Sequence, residues 1–248
     1  MTPTILITND DGADAPGLVA LHQVLEQLGH VIRVAPDRDQ SGAGHALTLN
    51  HPLRIKRLSE TVFSVDGTPT DCVTLGVFRL LKGKRPDLVV SGINPSSNLG
   101  DDITYSGTVS AALEGTLLGA PSFAISLDGE KGPVQFEEAT QVAHRIAQRL
   151  LQNGVPAGTW LNVNVPLRVR EGIRITRQGR RAYSESIVQR VDPKGRDYYW
   201  IGGVPPRWEH DPASDYAAVK AGFISITPLR LDLTHDEVLD TLAAEWEE

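Results

Sequence analysis

The feature that most constrains the fold of this chain is a regular alternation of short apolar runs with segments of helical periodicity. Residues 5–8 form an apolar run, residues 16–28 carry leucines at helical spacing, and residues 31–35 form a second apolar run closed by Pro36. This pattern predicts a β-α-β unit, in which a helical crossover joins two parallel strands. Gly29 follows the last leucine and predicts the end of the helix.

The alternation continues to about residue 167. The pattern predicts a hairpin at 53–58 and 61–65, helices at 70–81, 109–118 and 137–151, and strands at 88–91, 122–127 and 161–165. A long polar loop is expected between residues 92 and 105. Strands and helices in this order predict the α/β class, as a Rossmann-like, doubly wound, mostly parallel sheet.

The composition changes at about residue 168, where Arg, Gly, Pro, Tyr and Trp become frequent and helical periodicity disappears. The expected elements here are strands at 173–178 and 198–201, a helix at 215–221, a returning core strand at 223–227 and a terminal helix at 236–246. We interpret residues 1–167 as the Rossmann-like core and residues 168–248 as an oligomerisation arm with a C-terminal segment, within one continuous structural domain.

Composition and charge narrow the class of protein. The chain has 248 residues, a single cysteine and a formal net charge of -7. One cysteine cannot form an internal disulfide, and no basic leader or apolar run of ~20 residues is present, so we expect a soluble cytoplasmic protein. The acidic balance disfavours a general nucleic-acid binder. The Arg- and aromatic-rich stretch from Arg177 to Trp208 therefore fits an oligomerisation arm better than a surface that stacks single-stranded nucleic acid.

Two adjacent carboxylates, Asp10 and Asp11, follow the first predicted strand within the sequence Asn9-Asp10-Asp11-Gly12. Two such charges about 4 Å apart repel by roughly 4 kcal/mol at an effective dielectric near 20. A divalent cation would convert this repulsion into attraction, since hard cations prefer oxygen ligands. Asn, Asp and Gly are also common turn formers, so a cation site and a plain turn both remain open on these residues alone.

Three strand ends carry short oxygen-bearing side chains. Beyond the acidic pair, residues 36–42 follow the second strand and residues 92–102 follow the strand at 88–91. Ligands of open parallel sheets bind beyond the carboxyl ends of the strands, so these loops are expected to meet at one edge. Two carboxylates, a hydroxyl and an amide carbonyl would make a suitable shell for a hard cation.

A second candidate site lies at residues 105–112, where Ser106 or Thr108 can cap the following helix. Gly107 would let an anion approach the backbone, and the free N–H groups of a helix N-terminus favour phosphate. A plain helix cap explains the same residues. His45 near the second loop is either a general acid for a leaving group or a loop histidine without a role.

With these residues in view, the chain resembles the SurE family of stationary-phase survival proteins, which act as nucleotidases. The matching segments span nearly the whole chain in order: ITNDDG at 7–12 with APG at 15–17, AP at 35–36 with QSG at 40–42, VDGTPTDC at 65–72, VSGIN at 90–94, NLGDD at 98–102, YSGTV at 105–109 and GFISITPL at 222–229. Each segment is common alone, whereas the ordered set is highly specific.

The resemblance implies a phosphatase that uses one divalent metal cation per subunit, Mn²⁺ or Mg²⁺, and acts on nucleoside monophosphates at the 5′ or 3′ position. By position, the family's metal ligands fall on Asp10, Asp11, Ser41 and Asn94, and Asp10 is also the candidate catalytic residue. The family's phosphate contacts fall on Asn98, Ser106, Gly107 and Thr108. The resemblance also implies that residues 168–248 include an extended β-hairpin arm and that the protein is a homodimer or homotetramer that exchanges C-terminal elements.

One residue departs from the family pattern. Ser96 stands where the family usually has glycine, two residues after the metal-binding asparagine. If this position required a positive φ, serine would cost about 1 kcal/mol or more.

The motifs and the resemblance together lead to the hypothesis of a metal-dependent phosphomonoesterase without a covalent intermediate. The alternative is a nucleotide- or phosphate-sensing protein that binds without turnover.

Overall fold

The computed structural model of the protein describes residues 2–129, 135–182, 187–201 and 207–246. Its strands in chain order are β1 (Thr4–Thr8), β2 (His30–Pro36), β3 (Ile55–Arg57), β4 (Val62–Val65), β5 (Leu88–Asn94), β6 (Ser122–Asp128), β7 (Thr159–Pro166), β8 (Gly172–Ile175), β9 (Arg181–Ala182), β10 (Ile187–Val191), β11 (Asp197–Ile201), β12 (Arg207–Trp208) and β13 (Phe223–Arg230). Its α-helices are α1 (Pro16–Leu25), α2 (Pro69–Leu75), α3 (Gly107–Leu117), α4 (Glu137–Asn153), α5 (Asp215–Lys220) and α6 (Asp236–Trp246). A π-helical turn, Gly76–Leu80, continues α2, and Gly100–Thr104 is a 3-10 helix.

A nine-stranded sheet in the order β3-β4-β2-β1-β5-β6-β7-β13-β8 forms the centre of the molecule. The six strands from β4 to β7 are parallel to their neighbours, while β3 and β13 pair antiparallel with β4 and β7. The predicted α/β class with a mostly parallel sheet is therefore confirmed. Since the strands are parallel, the loops that follow β1, β2 and β5 emerge at the same edge of the sheet.

Helices cover both faces of the sheet. On one face, Ile5, Ile7 and Val90 pack in the main hydrophobic cluster with residues of α1 and α4. On the other face, Leu6 and Val89 pack with residues of α2, and Trp160 packs with residues of α3. The central strands are apolar on both faces because both faces are covered, as expected for a parallel sheet.

Most elements predicted from periodicity are present, with boundaries shifted by a few residues. The helix expected at 16–28 ends at Leu25, and the helix expected at 70–81 is α2 followed by the π-helical turn. The strand expected at 88–91 continues to Asn94, so the polar loop begins three residues later than predicted. The helix expected at 109–118 begins at Gly107, because the hydroxyl of Ser106 caps it.

The region after residue 168 contains more strand than the sequence predicted. The polar stretch before the predicted strand at 198–201 contains β10, which pairs antiparallel with β11 as a hairpin. The short pair β9 and β12 was also not predicted. Residues 183–186 and 202–206, which belong to the same Arg- and aromatic-rich stretch, lie outside the described residues.

Several apolar side chains of this region face solvent. In the β10–β11 hairpin, Ile187 and its cross-strand partner Ile201 are 67% and 92% exposed. Helix α6 has no buried residue, and Leu239 and Trp246 are among its exposed side chains. None of the helices in the described ranges is long and apolar enough to cross a membrane.

Candidate functional site

The turn after β1 is closed by Asn9 and leaves the two carboxylates available. The Gly12 N–H donates to Asn9 Oδ1 over 3.2 Å, and Gly12 has a φ of +113°, which favours glycine. The turn expected from this sequence is therefore present. It does not use the side chains of Asp10 and Asp11, so the turn and a cation site are compatible. Asp10 itself is buried, with 5% of its surface exposed.

The first turn of α3 lies directly against Asp10. The hydroxyl of Thr108 donates a hydrogen bond to Asp10 Oδ1. A Cβ atom on Gly107 would lie only 2.9 Å from the Cβ atom and 3.1 Å from Oδ2 of Asp10, so a larger residue could not occupy this position without movement. The acidic strand end and the helix N-terminus, separated by almost 100 residues in sequence, thus form one site.

Ser106 acts as the helix cap that the sequence allowed. Its Oγ accepts a hydrogen bond of 3.1 Å from the Val109 N–H, and its backbone is extended, as is usual for a capping residue. The cap satisfies one of the free N–H groups at this end of α3. The N-terminus of α3 carries a partial positive charge, and a backbone hydrogen bond from Thr108 helps to lower the pKa of Asp10.

The loop after β2 also reaches Asp10. The Gln40 N–H donates to the Asp10 carbonyl oxygen over 2.8 Å, which brings Ser41 to the same edge. Both the N–H and the hydroxyl of Ser41 donate to Asp39 Oδ1, over 2.8 and 2.6 Å. Asp39 is a residue that the sequence analysis did not select, although it lies within the oxygen-rich loop at 36–42.

The electrostatics of the site are unfavourable for the protein alone. Burial, followed by the charges of Asp10 and Asp39, raises the pKa of Asp11 to about 7. Burial also raises the pKa of Asp10, although the hydrogen bond from Thr108 opposes this shift. No salt bridge reaches either carboxylate among the residues that the structure describes. A cation at this position would remove the repulsion, so the donor set fits a hard divalent ion.

The expected ligands are two carboxylates with a hydroxyl and an amide oxygen, so only two of them are acidic. In keeping with this, the described part of the chain contains no group of three or more His, Cys, Asp or Glu side chains suited to a metal ion. Asn94 ends β5, the strand beside β1, and its Nδ2 donates to the Ser96 carbonyl oxygen over 2.5 Å. Its Oδ1 therefore remains available as an acceptor or ligand.

Ser96 has an ordinary backbone conformation. Among the described residues, Lys82 is the only non-glycine residue with a positive φ. The cost considered for serine at this position therefore does not arise, and the Asn94–Ser96 hydrogen bond closes the turn instead.

Asn98 and the acidic residues after it are held by hydrogen bonds. The Asn98 Nδ2 donates to Ser126 Oγ over 2.8 Å. Asp101 accepts the Arg181 N–H over 2.9 Å, and Asp102 pairs with the guanidinium of the same arginine. Asp101 and Asp102 thus attach the loop to the base of the arm.

His45 is directed between two helices. Its Nε2 lies 3.0 Å from Oε2 of the buried Glu114 in α3, and Glu114 Oε1 accepts the hydroxyl of Thr74 in α2 over 2.9 Å. Glu114 lies about two turns beyond the N-terminus of α3, so this contact directs His45 away from the Gly107 end. The geometry therefore supports a role in holding the loop.

Cys72 is not available as a nucleophile. The side chain is fully buried in the cluster between the sheet and α2. Burial, more than the nearby carboxylates Asp71 and Asp37, raises the pKa of its thiol well above the ordinary value. Cys72 therefore contributes to packing between the sheet and α2.

The fold and the site together define an α/β protein in which an acidic strand end faces a helix N-terminus at the carboxyl edge of a parallel sheet. The family model described as "Survival protein SurE" matches residues 5–185. A protein named 5′-nucleotidase SurE from Geotalea daltonii is 53% identical over 246 residues, which cover 98% of each chain. A protein of the same name from Geobacter sulfurreducens is also 53% identical, over 98% of this chain and 93% of that protein.

A solved structure gives the same result. The crystal structure of the SurE protein from Aquifex aeolicus is 45% identical to this chain, has a TM-score of 0.86, and matches over 98% of this chain and 99% of that one. The chain belongs to the SurE family.

Proposed function

We propose that this protein is a metal-dependent 5′-nucleotidase, which hydrolyses nucleoside 5′-monophosphates, and also 3′-monophosphates, to nucleoside and phosphate. The observation that carries the proposal is the contact between Asp10 and the first turn of α3, because it joins a cation-binding group to an anion-binding group. The names of relatives about 50% identical over nearly the full chain support the same activity.

Asp10, Asp11, Ser41 and Asn94 would hold one divalent cation, Mn²⁺ or Mg²⁺. When bound, the cation supplies a Lewis acid that polarises the phosphoryl oxygens and lowers the pKa of a bound water. Oxygen donors of this kind suit both ions. Burial and, after it, the repulsion between carboxylates raise the pKa of Asp11, and both are energetic reasons for the chain to bind a cation here.

The phosphate would lie between the carboxylates and the N-terminus of α3. The N–H groups of Gly107 and Thr108 and the amide of Asn98 would donate to its oxygens, where charge increases in the transition state. Ser106 keeps this helix end in place through its cap. Because Gly107 has no side chain, Asp10 can lie close to this helix end.

Water would attack phosphorus directly. The new bond is P–O from water, the broken bond joins phosphorus to the ester oxygen, and Asp10 orients the water and accepts its proton while solvent protonates the leaving alcohol. The hydroxyl of Ser41 donates its proton to Asp39, which leaves the oxygen lone pairs for the cation, and Cys72 is buried, so neither side chain is assigned as the nucleophile. A covalent phosphoenzyme is therefore not expected.

Phosphate release from nucleoside 5′- and 3′-monophosphates should depend on added metal. With Mn²⁺ or Mg²⁺ we expect turnover, and a chelator should lower the rate at least 100-fold, because a Lewis acid contributes several kcal/mol to phosphoryl transfer. The measurement is a colorimetric phosphate assay over a panel of nucleotides. Tight nucleotide binding without release, at any metal concentration, would instead identify a sensor.

We further propose that the protein forms a homodimer or homotetramer through the β10–β11 hairpin and α6. Both elements expose apolar side chains that a monomer would leave in water. The aromatic and arginine content of the hairpin is typical of an interface.

The double substitution Ile187→Lys and Ile201→Glu should reduce the oligomer to a smaller species. The two residues are cross-strand partners, so the opposite charges maintain the hairpin while the apolar surface is lost. Mass determined by light scattering is the readout. Leu49→Glu, at an 88% exposed position outside the arm, is the control and should leave the mass unchanged. An unchanged mass for the double variant would exclude the hairpin from the interface.

A further inference from the structure

A layer of buried polar side chains lies on the face of the sheet that α3 covers. In β6 and β7, Ser126, Asn162 and Asn164 have no exposed surface. They alternate with Val163 and Val165, which belong to the main cluster on the opposite face. Interior strands of a sheet covered on both faces are normally apolar, so these asparagines require an explanation.

Both asparagines of β7 bind the same loop residue. The Nδ2 atoms of Asn162 and Asn164 donate to the Asn98 carbonyl oxygen over 2.8 and 2.9 Å. Asn164 Oδ1 accepts the Asn98 N–H over 2.8 Å. Together with the bond from the Asn98 side chain to Ser126, four hydrogen bonds hold this one residue, at both its backbone groups and its amide.

These hydrogen bonds are costly compared with an apolar alternative. A buried amide loses its hydration and recovers only about 1 kcal/mol for each hydrogen bond that it forms. Leucine at either position would therefore stabilise the folded state more than asparagine does. Asn162 also leaves its Oδ1 without a partner among the described residues. The specific result of this arrangement is a fixed position for Asn98.

The neighbouring strand provides a contrast. Ser225 and Thr227 of β13 are equally buried, but their hydroxyls interact with Thr176 over 2.7 and 2.8 Å. No described hydrogen bond of these side chains reaches the loop. The polar layer therefore has two parts, and only the β7 part holds Asn98.

The side-chain amide of Asn98 can donate a second hydrogen bond. A primary amide has two donor hydrogens, and the bond to Ser126 uses one of them. No hydrogen bond among the described residues uses the second hydrogen, which can donate to a phosphate oxygen. The loop is also held two residues later, where the Gly100 N–H donates to the buried Asp215 over 2.8 Å.

We propose that Asn162 and Asn164 are positioning residues for phosphoryl transfer, which hold Asn98 so that its free N–H meets the phosphate in the transition state. The inference rests on the proposed function, in which Asn98 contacts phosphate. Neither asparagine touches the substrate, and both act through Asn98.

The test compares Asn164→Ala, Asn162→Ala and Asn98→Ala in the metal-loaded protein with a nucleoside 5′-monophosphate. Asn164→Ala removes two of the bonds to Asn98 and should lower kcat by about 100-fold, since a misplacement of ~1 Å has that effect. Asn162→Ala removes one hydrogen bond to Asn98 and should lower kcat less. It tests the same inference if the Asn164→Ala protein does not fold. KM and the Mn²⁺ affinity measured by calorimetry should change little, because the proposed metal ligands are retained.

Thr227→Val is the matched control, since it removes a buried hydrogen bond of the same layer that does not reach Asn98. It should lower the unfolding temperature to a similar degree and leave kcat unchanged. In the Asn98→Ala background, Asn164→Ala should produce no further loss of kcat.

The possible outcomes distinguish a failure of this inference from a failure of the proposed function. If Asn98→Ala lowers kcat but Asn164→Ala and Asn162→Ala do not, the inference is wrong and the proposed function stands. If Asn98→Ala leaves kcat unchanged in an active enzyme, both the phosphate contact and the inference fail. An additive loss in the double variant would also overturn the inference, because it would mean that Asn164 acts independently of Asn98.

Discussion

Asp10→Asn is expected to lower metal-dependent phosphate release by roughly 1000-fold or more while the protein stays folded. The substitution keeps the shape of the side chain and an acceptor for Thr108, but it removes the negative charge that would bind the cation and accept the proton. The measurement is kcat/KM for a nucleoside 5′-monophosphate at saturating Mn²⁺.

The thermal stability of the Asp10→Asn variant provides a second readout. Since burial and the neighbouring carboxylates disfavour charge at this position, the variant without metal should unfold at the same temperature as the parent or higher. Added Mn²⁺ should stabilise the parent, because a ligand that binds only the folded state raises the unfolding temperature, and it should stabilise the variant much less.

Asp87→Asn is the matched control. Asp87 lies at the opposite, amino-terminal end of the sheet, where its carboxylate accepts the Thr4 N–H. The same chemical change there should affect neither turnover nor the response to Mn²⁺. Full turnover by Asp10→Asn, or an equal loss in both variants, would contradict the assignment of the site.

Gly92→Ala is expected to lower the free energy of unfolding by about 3 kcal/mol or more. Gly92 lies in β5 with a φ of +133°, and an added Cβ atom would lie 2.2 Å from the Ile125 carbonyl oxygen in β6. Because that oxygen belongs to the backbone of the adjacent strand, neither strand can yield without disturbing the pairing of β5 with β6. Urea unfolding measures the change.

Gly172→Ala is the control that separates two causes of lost stability, the contact of the added Cβ atom and the positive φ. Gly172 has a φ of +109°, but an added Cβ atom there would meet nothing within 4 Å. This control should lose only the conformational part, about 1 kcal/mol. Similar losses in the two variants would show that the contact with Ile125 is not the cause.

The position of Gly92 also connects stability with the site. Asn94 follows it by two residues at the end of the same strand, where the register of β5 with β6 shifts. Gly92→Ala protein that remains folded should therefore bind Mn²⁺ more weakly, since Asn94 is a proposed ligand. Unchanged metal affinity in that protein would argue against Asn94 as a ligand.

Local patterns predicted the parts of this protein that local interactions stabilise. Helix α4 was expected at 137–151 and occupies Glu137–Asn153, because one apolar face repeated over four turns identifies a helix without reference to its neighbours. A cap at Ser106 or Thr108 was expected from residue type alone, and the structure has it at Ser106. The pair β9 and β12 was missed because each strand has two residues, and its partner lies about 25 residues away.

The residues of the site show the same difference between what local sequence patterns predict and what depends on distant residues. The loops that carry Asp10, Ser41 and Asn94 were selected because each follows a predicted strand, and parallel strands end at one edge. The roles of Ser41, Asn94 and Asn98 came from the resemblance to the SurE family. Asp39 was missed because its influence on Asp10 and Asp11 depends on distance in space. The asparagines of β7 did leave a signal, since two amides alternate with valines in a strand that is otherwise apolar.

The sequence by itself determined the α/β class, the order of the main elements and the set of oxygen-bearing loops at one edge of the sheet. These follow from periodicity and from the geometry of parallel strands, which act at short range along the chain. Only the tertiary structure decided which side chains meet: Thr108 with Asp10, Ser41 with Asp39, His45 with Glu114, and the asparagines of β7 with Asn98. The physical reason is that these contacts join residues from different loops and strands, whose separation depends on the packing of the whole sheet.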